Sequence, residues 1–495
     1  MTEFELKFEV PPASLKSVAG AVLEGKATRQ RLQASYFDTA DGALAAHGIV
    51  VRLRKEGRRW IQTAKGPTAD FLERLEHNVV LPSGPAGTVP TLDLARHKGT
   101  PVGKIVDQAL GLKASNDYPK LDLLYGTDVQ RITRLVTCGG SVVEVALDQG
   151  RVFGDGHSQP ICELEVELKE GTPRDAVTLA RQWCASHGLW MSTIAKSMKG
   201  QRLRSATPFG AATSAISLKF SRKAPGHEMV TAVVAACLSQ ILPNMSELAG
   251  GSNHPDHIHQ LRVGIRRLRT ALRGLAGLTD TIDPTWEAAL VQTFRALGAH
   301  RDYSHLALVL QPQLLAAGGP DLRFSDANSN IPDPGETVRE PDFQGALLGL
   351  VGFLHREVPK TGDKTDTLEK AIALRLDKLH KRALRDGKKF LELDEACQHG
   401  VRKRLKRLRY LIEFAAPLFG TRKVRHMTSA LKPVQDALGL YNDELMALQA
   451  WRAVAMDDPN AWFGIGWFMA RRRPNARRCL KEIKVFTGIK PFWRG

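Results

Sequence analysis

Two apolar periods divide this chain at about residue 206. Before that point apolar side chains recur at every second position, as in Glu3-Phe4-Glu5-Leu6-Lys7-Phe8-Glu9-Val10. On a β-strand this pattern puts Glu3, Glu5 and Lys7 on one face and Phe4, Leu6 and Phe8 on the other. Beyond residue 206 the spacing becomes helical, as in Val230, Val233, Val234, Cys237, Leu238 and Ile241. A chain with both textures is expected to be an α+β multidomain protein, and 495 residues exceed what one hydrophobic core serves. The stretch Thr207–Ser214, rich in small and turn-forming residues, reads as a linker. The expected division is therefore 1–205, a linker over 206–216, and 217–495. Gly318 to Gly335 is dense in Gly, Pro and Asp and reads as a long loop.

Apolar residues at 43%, charged residues at 25% and a mean hydropathy of -0.22 exclude disordered and collagen-like chains. The longest apolar run, Ala346–Leu354, meets His355-Arg356, so no membrane span is expected. Met1-Thr2-Glu3-Phe4-Glu5 does not begin a signal peptide. The six cysteines form no CxxC pair, which argues against a zinc site or disulfide framework and fits a reducing cytoplasm. The formal charge of +18 is uneven. Residues 1–206 hold 27 basic and 23 acidic side chains, and the remainder hold 43 and 29. Such an excess implies an anionic partner.

The first half repeats its charge alternation on several strands. Glu163-Leu164-Glu165-Val166-Glu167 is acidic. Arg52 and Arg54 flank Leu53, Lys65 follows Thr63, Arg74 stands near Glu76, and Glu144 precedes Asp148. A single strand of this kind is ordinarily the wet face of an antiparallel sheet. Several strands, each dominated by one sign, gain nothing from like neighbours. They fit better closed around a ligand, with carboxylates for a hard cation and Arg/Lys donors for phosphate oxygens. The ligand implied is a metal-bound polyphosphate.

Glu3-x-Glu5-x-Lys7 resembles the opening signature of the CYTH, or triphosphate tunnel metalloenzyme, superfamily. Arg52-x-Arg54, Lys65, Arg74-x-Glu76, Arg131 and Arg134, Glu144-x-x-x-Asp148-x-Gly150, Glu163-x-Glu165-x-Glu167 and Ala195-Lys196-Ser197-x-x-Gly200 follow in that family's order. The resemblance implies a closed antiparallel β-tunnel of about eight strands. It also implies that Glu3, Glu5, Asp148, Glu163 and Glu165 ligate Mg²⁺ (or Mn²⁺). Lys7, Arg52, Arg54, Lys65, Arg74, Arg134 and Lys196 would hold the triphosphate, with Glu5, Lys7 and Lys196 as catalytic residues.

The helical half contains a repeat. His259-x-x-Arg262-x-x-x-Arg266-x-x-Arg269 recurs as His399-x-x-Arg402-x-x-x-Lys406-x-x-Arg409, and Ala296-Leu297-Gly298-x-x-Arg301-Asp302 recurs as Ala437-Leu438-Gly439-x-x-Asn442-Asp443. Two motifs duplicated in one order predict two copies of a helical unit, about 217–312 and 346–495, in an all-α bundle. Steps of three and four put each set of four bases on one helix face. Two such faces repel unless an anion lies between them. These helices resemble the CHAD domain, whose helical-bundle members bind inorganic polyphosphate. By that resemblance His259, Arg262, Arg266, Arg269, His399, Arg402, Lys406 and Arg409 bind long-chain polyphosphate.

The combined expectation is a divalent-metal-dependent inorganic triphosphatase that cleaves tripolyphosphate to pyrophosphate and phosphate and carries a polyphosphate-binding domain. Thiamine triphosphatase or class IV adenylyl cyclase activity in the same tunnel, and a non-catalytic polyphosphate scaffold, are the alternatives. Nucleic acid is disfavoured, because aromatics are 6% and no base-stacking motif interleaves the arginines.

Overall fold

The computed structural model describes residues 2–68, 73–82, 88–112, 117–279, 282–321, 331–357 and 366–494. They form two compact units. The first comprises Met1–Ala212, Leu242–Ser252 and Val338–Arg356, and the second comprises the intervening stretches and the C-terminal part.

The first unit is built on β1 (Thr2–Glu9), β2 (Ala27–Asp38), β3 (Val50–Glu56), β4 (Arg59–Pro67), β5 (Glu73–Leu81), β6 (Asp122–Cys138), β7 (Ser141–Gly154) and β8 (His157–Glu170). Hydrogen-bonded neighbours run β5-β4-β3-β2-β6-β7-β8-β1, and a β1–β5 pairing closes the ring. All the ladders are antiparallel, and two-residue β9 (Trp190–Met191) extends the sheet beside Phe8 and Glu9. The expected eight-strand closed tunnel is present.

Closure inverts the usual arrangement of such a sheet. Phe4, Leu6 and Phe8 point outward and are buried under helices, whereas Glu3, Glu5 and Lys7 point into the lumen. Covering the apolar outer face falls to α1 (Leu15–Leu23), α2 (Pro101–Ala109) and α3 (Pro173–His187). The next helix, α4 (Lys196–Ser205), reaches the ring at Gly200, where an added Cβ would lie 2.1 Å from the Tyr125 ring. This close approach places Lys196, the first residue of α4, at the lumen.

No regular element spans 206–225. Then follow α5 (Gly226–Ala249), α6 (Pro255–Gly274), α7 (Thr285–His305), α8 (Pro341–Leu354), α9 (Asp366–Gly387), α10 (Glu395–Phe414), α11 (Thr421–Val454) and α12 (Ala461–Thr487). The expected loop at Gly318–Gly335 already holds the start of a short helix, Pro334–Arg339, and its residues 322–330 lie outside the described ones. The apolar residues at 230, 233, 234, 237, 238 and 241 are all fully buried on α5. Among the described residues α5 alone is long and apolar enough to cross a membrane, and 72% of its most apolar window is buried inside the protein, as in a core helix. The helices with the repeated basic motif, α6 and α10, pack on each other, and Arg267 of α6 donates to Glu413 Oε2 of α10 at 2.6 Å.

Two stretches from the helical half belong to the first unit. Residues of α8 pack on α3 and β9, and His355 meets Phe4 edge-on at 4.9 Å. Gln344 is fully buried, accepts from the Met191 amide at 2.9 Å and donates to the Val338 carbonyl at 2.6 Å. Burying either group without its partner carries the full desolvation penalty. Gln344→Ala is therefore expected to lower the unfolding free energy of this unit by about 1–3 kcal/mol, read from a urea transition of the full chain. An unchanged midpoint would show that these contacts are not needed.

Candidate functional site

The lumen is a cavity of about 680 Å³ lined by charged side chains of both signs. Its carboxylates come from neighbouring strands. Register aligns Arg131, Asp148, Glu163 and Glu9 in one row across β6, β7, β8 and β1, and the next row pairs Glu165 with Lys7. In the ring order β3, which carries Arg52 and Arg54, stands opposite β8, so the bases of β3 and β4 face the acidic strands across the lumen.

One oxygen each from Asp148, Glu163 and Glu165 lies within 4.8 Å of the others, a spacing that could hold a metal ion. Asp148 and Glu163 are fully buried. Arg131 donates to both Asp148 oxygens at 2.6 Å and also bonds Glu165. Lys196 Nζ is 2.7 Å from Asp148 and 2.7 Å from Glu165, and it also bonds Glu163. Burial opposes ionisation of Glu165, but Arg131 and Lys196 outweigh it and hold its pKa well below the usual carboxylate range. Burial likewise opposes the charge on Lys196, yet Asp148, Glu163 and Glu165 raise its pKa well above that of a free lysine.

Around the wall, Lys65 Nζ bridges Glu3 at 2.7 Å and Glu76 at 2.8 Å. Burial, together with a hydrogen bond to Glu76, pushes the Glu3 carboxyl up to about 9. Glu76 resists the same burial and stays low, because it accepts from Glu3 and faces Lys65. Glu5 is also raised, by burial and by the Glu165 charge. Arg54 is lowered to about 10 by burial and by Arg52. The residues fit a cation with an anion. Glu163 Oε2 is buried and accepts no hydrogen bond among the described residues, and the Nε donors of Arg52 and Arg54 are buried without an acceptor.

Glu3, Glu5, Lys7, Arg52, Arg54, Lys65, Arg74, Asp148, Glu165 and Lys196 line the cavity together, with Glu163 bonded to Lys196 at its edge. Arg134 is a correction. It does not line the lumen, because on β6 it lies an odd number of residues from Thr127, Val129 and Arg131, which do. It stands in the outward row beside Val145 and donates to the Glu24 carbonyl at 2.8 Å. Arg131 is the β6 arginine of the site. Two arginines three apart on a strand must face opposite ways, so the sequence signal was that only one could belong.

In the second unit a cavity of about 1130 Å³ is lined by His259, Arg266, Lys406 and Arg409, among others. Arg262 is nearly buried, lies 4.2 Å over the Phe294 ring and donates to the Phe294 carbonyl at 2.5 Å. Gly298 makes room for it, since a Cβ there would meet Arg262 Nη1 at 2.9 Å, whereas a Cβ at Gly439 would meet nothing. Among the described residues the side chains of Arg266 and Lys406 form no ion pair or hydrogen bond, and the buried Nε of Arg402 has no partner. Burial, Arg266 and Arg402 push the Lys406 ammonium down to about 6. Burial and neighbouring cations lower His259 and His399 as well, so both charge below the pH of a free imidazole. Arg269 and Arg409 are less available. Glu287 lies 3.4 Å from Arg269, and Glu413 lies 2.8 Å from Arg409. Arg301 belongs with the cluster, although it lies outside the repeated row of bases. Asp443 holds it at 3.2 Å.

Two family models match in succession, a CYTH domain over residues 1–199 and a CHAD domain over 232–452. Residues 1–199 are a CYTH domain, followed by a CHAD domain over 232–452. It is 29% identical over 175 residues to the inorganic triphosphatase of Haemophilus influenzae, a match covering 34% of this chain and 45% of that protein's length. Among solved structures, the CHAD domain from the plant Ricinus communis is 23% identical with a TM-score of 0.47, over 57% of this chain and 98% of that one. HpAC1 from Hippeastrum, reported with a dominant triphosphatase activity, is 20% identical with a TM-score of 0.31, over 41% and 96%.

The strand parity makes a direct prediction. Arg131→Ala should weaken triphosphate binding and destabilise the first unit, because it leaves Asp148 and Glu165 short of a counter-charge. Arg134→Ala should bind triphosphate like the parent protein. Calorimetric titration of both variants tests this, and the reverse order would refute the assignment.

Proposed function

We propose that the CYTH tunnel hydrolyses tripolyphosphate to pyrophosphate and phosphate with Mg²⁺ or Mn²⁺, and that the CHAD helices bind long-chain polyphosphate. The observation that carries the first part is the opposition, inside one closed lumen, of three clustered carboxylates to arginines whose buried Nε donors find no acceptor among the described residues. Kinship with an inorganic triphosphatase supports it.

Asp148, Glu163 and Glu165 would hold the cation, with Glu3 and Glu5 on the adjoining wall. A divalent ion bound there supplies neutralisation of phosphate oxygens and orientation of water. Arg52, Arg54 and Lys65 bind the chain from the opposite wall through charge-assisted hydrogen bonds. Phosphoryl transfer needs positioning and charge neutralisation more than covalent chemistry. The lumen can supply both through its charged side chains alone. Lys7, among the carboxylates of β1 and β8, faces the same space and can stabilise charge developing on the departing pyrophosphate.

Phosphate release from tripolyphosphate, ATP, thiamine triphosphate and long-chain polyphosphate, each with and without divalent cation, tests this reading. Turnover should be metal-dependent and highest on tripolyphosphate. Glu5→Gln, which keeps volume and removes charge, should nearly abolish it. Parental turnover in that variant at saturating Mg²⁺ would end the assignment.

For the helices, the supporting observation is a crowd of cations in which burial, and then neighbouring charges, lowers Arg402 and Lys406. Arg266, Arg402 and Lys406 gather on α6 and α10 with no carboxylate bonded to them among the described residues. Contacts to a linear polyanion should release counterions, so affinity falls steeply with salt. The pH dependence follows from Lys406, whose pKa is about 6 when no anion is bound. Bound phosphates favour the charged form and raise it. Between pH 6 and that higher value, binding takes up a proton, so affinity should weaken with rising pH by up to about tenfold per unit. Below pH 6 the ammonium is already charged and this dependence vanishes. Polyphosphate titrations from pH 5 to 9 check this, and Lys406→Arg should flatten the profile. A profile that is flat in the parent protein would remove Lys406 from the site.

A further inference from the structure

We propose that Lys196 is a resident counter-ion that occupies the cation site of the empty tunnel, and that a divalent ion enters only as this ammonium moves away. The proposal rests on the reading of Asp148, Glu163 and Glu165 as metal ligands.

The oxygens that would coordinate a cation are those that already surround Nζ. Asp148 Oδ2, Glu163 Oε1 and Glu165 Oε1 all bond Lys196. A hard cation needs such oxygens at about 2.0–2.6 Å, which puts it where the ammonium sits. Both charges cannot share that space. The cluster is also nearly balanced without a metal, since three carboxylates face Arg131, Lys196 and, 3.6 Å from Glu163 Oε2, Lys199. A dication added to that set would leave excess positive charge in a buried place.

Of the three cations Lys196 is the one able to leave. Arg131 is fixed by a two-pronged bond to Asp148 from the middle of β6. Lys199 is held one turn into α4 by Glu9 at 2.8 Å. Lys196 starts α4, where the helix dipole disfavours a positive charge, and its ammonium rides on a flexible four-carbon stem. Displaced, it stays at the lumen and can meet a phosphate oxygen. Metal and anion should therefore bind with positive coupling: the anion offers Lys196 a new partner, and its departure frees the three carboxylates.

The test is a titration of the full chain with Mn²⁺, free of any phosphate, read by electron paramagnetic resonance of unbound Mn²⁺. Lys196→Gln removes the competing charge and should bind Mn²⁺ about ten- to a hundredfold more tightly than the parent protein. Lys196→Arg keeps the charge and should bind as weakly as the parent. Adding Glu163→Gln to Lys196→Gln should cancel the gain. If Lys196→Gln binds Mn²⁺ no more tightly than the parent, the proposal is wrong. The parent protein gives a second test that needs no folded variant. Acetic anhydride labelling of Lys196, read by mass spectrometry, should rise several-fold when Mn²⁺ saturates the site, and unchanged labelling with Mn²⁺ bound overturns the idea. Tighter binding in Lys196→Gln beside a parent inert towards tripolyphosphate would instead sink the triphosphatase reading and leave this one standing.

Discussion

A group of carboxylates removed from water sets the terms for the first unit. Asp148 and Glu163 are fully buried on adjacent strands, and a charge so placed persists only with a counter-charge in contact. Arg131 and Lys196 meet that condition from opposite directions, one from inside the barrel wall and one from a helix laid across it. The position of α4, the register of β6 on β7, and the need for glycine at 200 follow from keeping both cations on these oxygens. The same polar interior turns the apolar faces of β1, β7 and β8 outward. Those faces must be covered, and α1 and α3 do so, with α8, from far along the chain, packed on α3 and β9.

In the helical unit the imbalance has the opposite sign. Cations from α6 and α10 converge, and the nearby carboxylates take the outer arginines and Arg301. Glu287 engages Arg269 and Arg273, Glu413 engages Arg267 and Arg409, and Asp443 engages Arg301 and, at 3.3 Å, His305. What remains is a small core of Arg262, Arg266, Arg402 and Lys406 that no carboxylate among the described residues meets in an ion pair, although Asp302 and Asp443 lie near enough to offset part of the charge. Lys406 yields first, because an ammonium loses its proton more readily than a guanidinium. The two motif copies are not equivalent either. Gly298 accommodates an arginine packed on Phe294, whereas Gly439 has open space where its counterpart would be.

Much of this was legible in the sequence. Alternation by two assigned sides to Glu3, Glu5, Lys7, Glu163 and Glu165, because strand geometry leaves a side chain no other choice. Steps of three and four aligned the helical bases for the same local reason, and the switch between periods marked where the β texture ends. Composition and spacing also made an anionic ligand the natural partner of both halves. Each of these properties is set by residues within one element.

Tertiary structure decided whatever depends on which elements become neighbours. Arg131 and Arg134 are equivalent to a reader of β6 alone, and only the pairing of Arg131 with Asp148 shows which one enters the lumen. Lys196 could have met phosphate, as the motif suggested, but the packing of Gly200 on Tyr125 places its ammonium among three carboxylates. The assignment of residues 242–252 and 338–356 to the barrel unit has no signal in their own periodicity, which fits a helix in any bundle. The depressed Lys406 likewise reflects its burial and the cations brought beside it from separate helices. Local periodicity determines which way a side chain points, whereas buried charge is governed by distances of a few ångströms between residues far apart in sequence, and only the folded chain sets those distances.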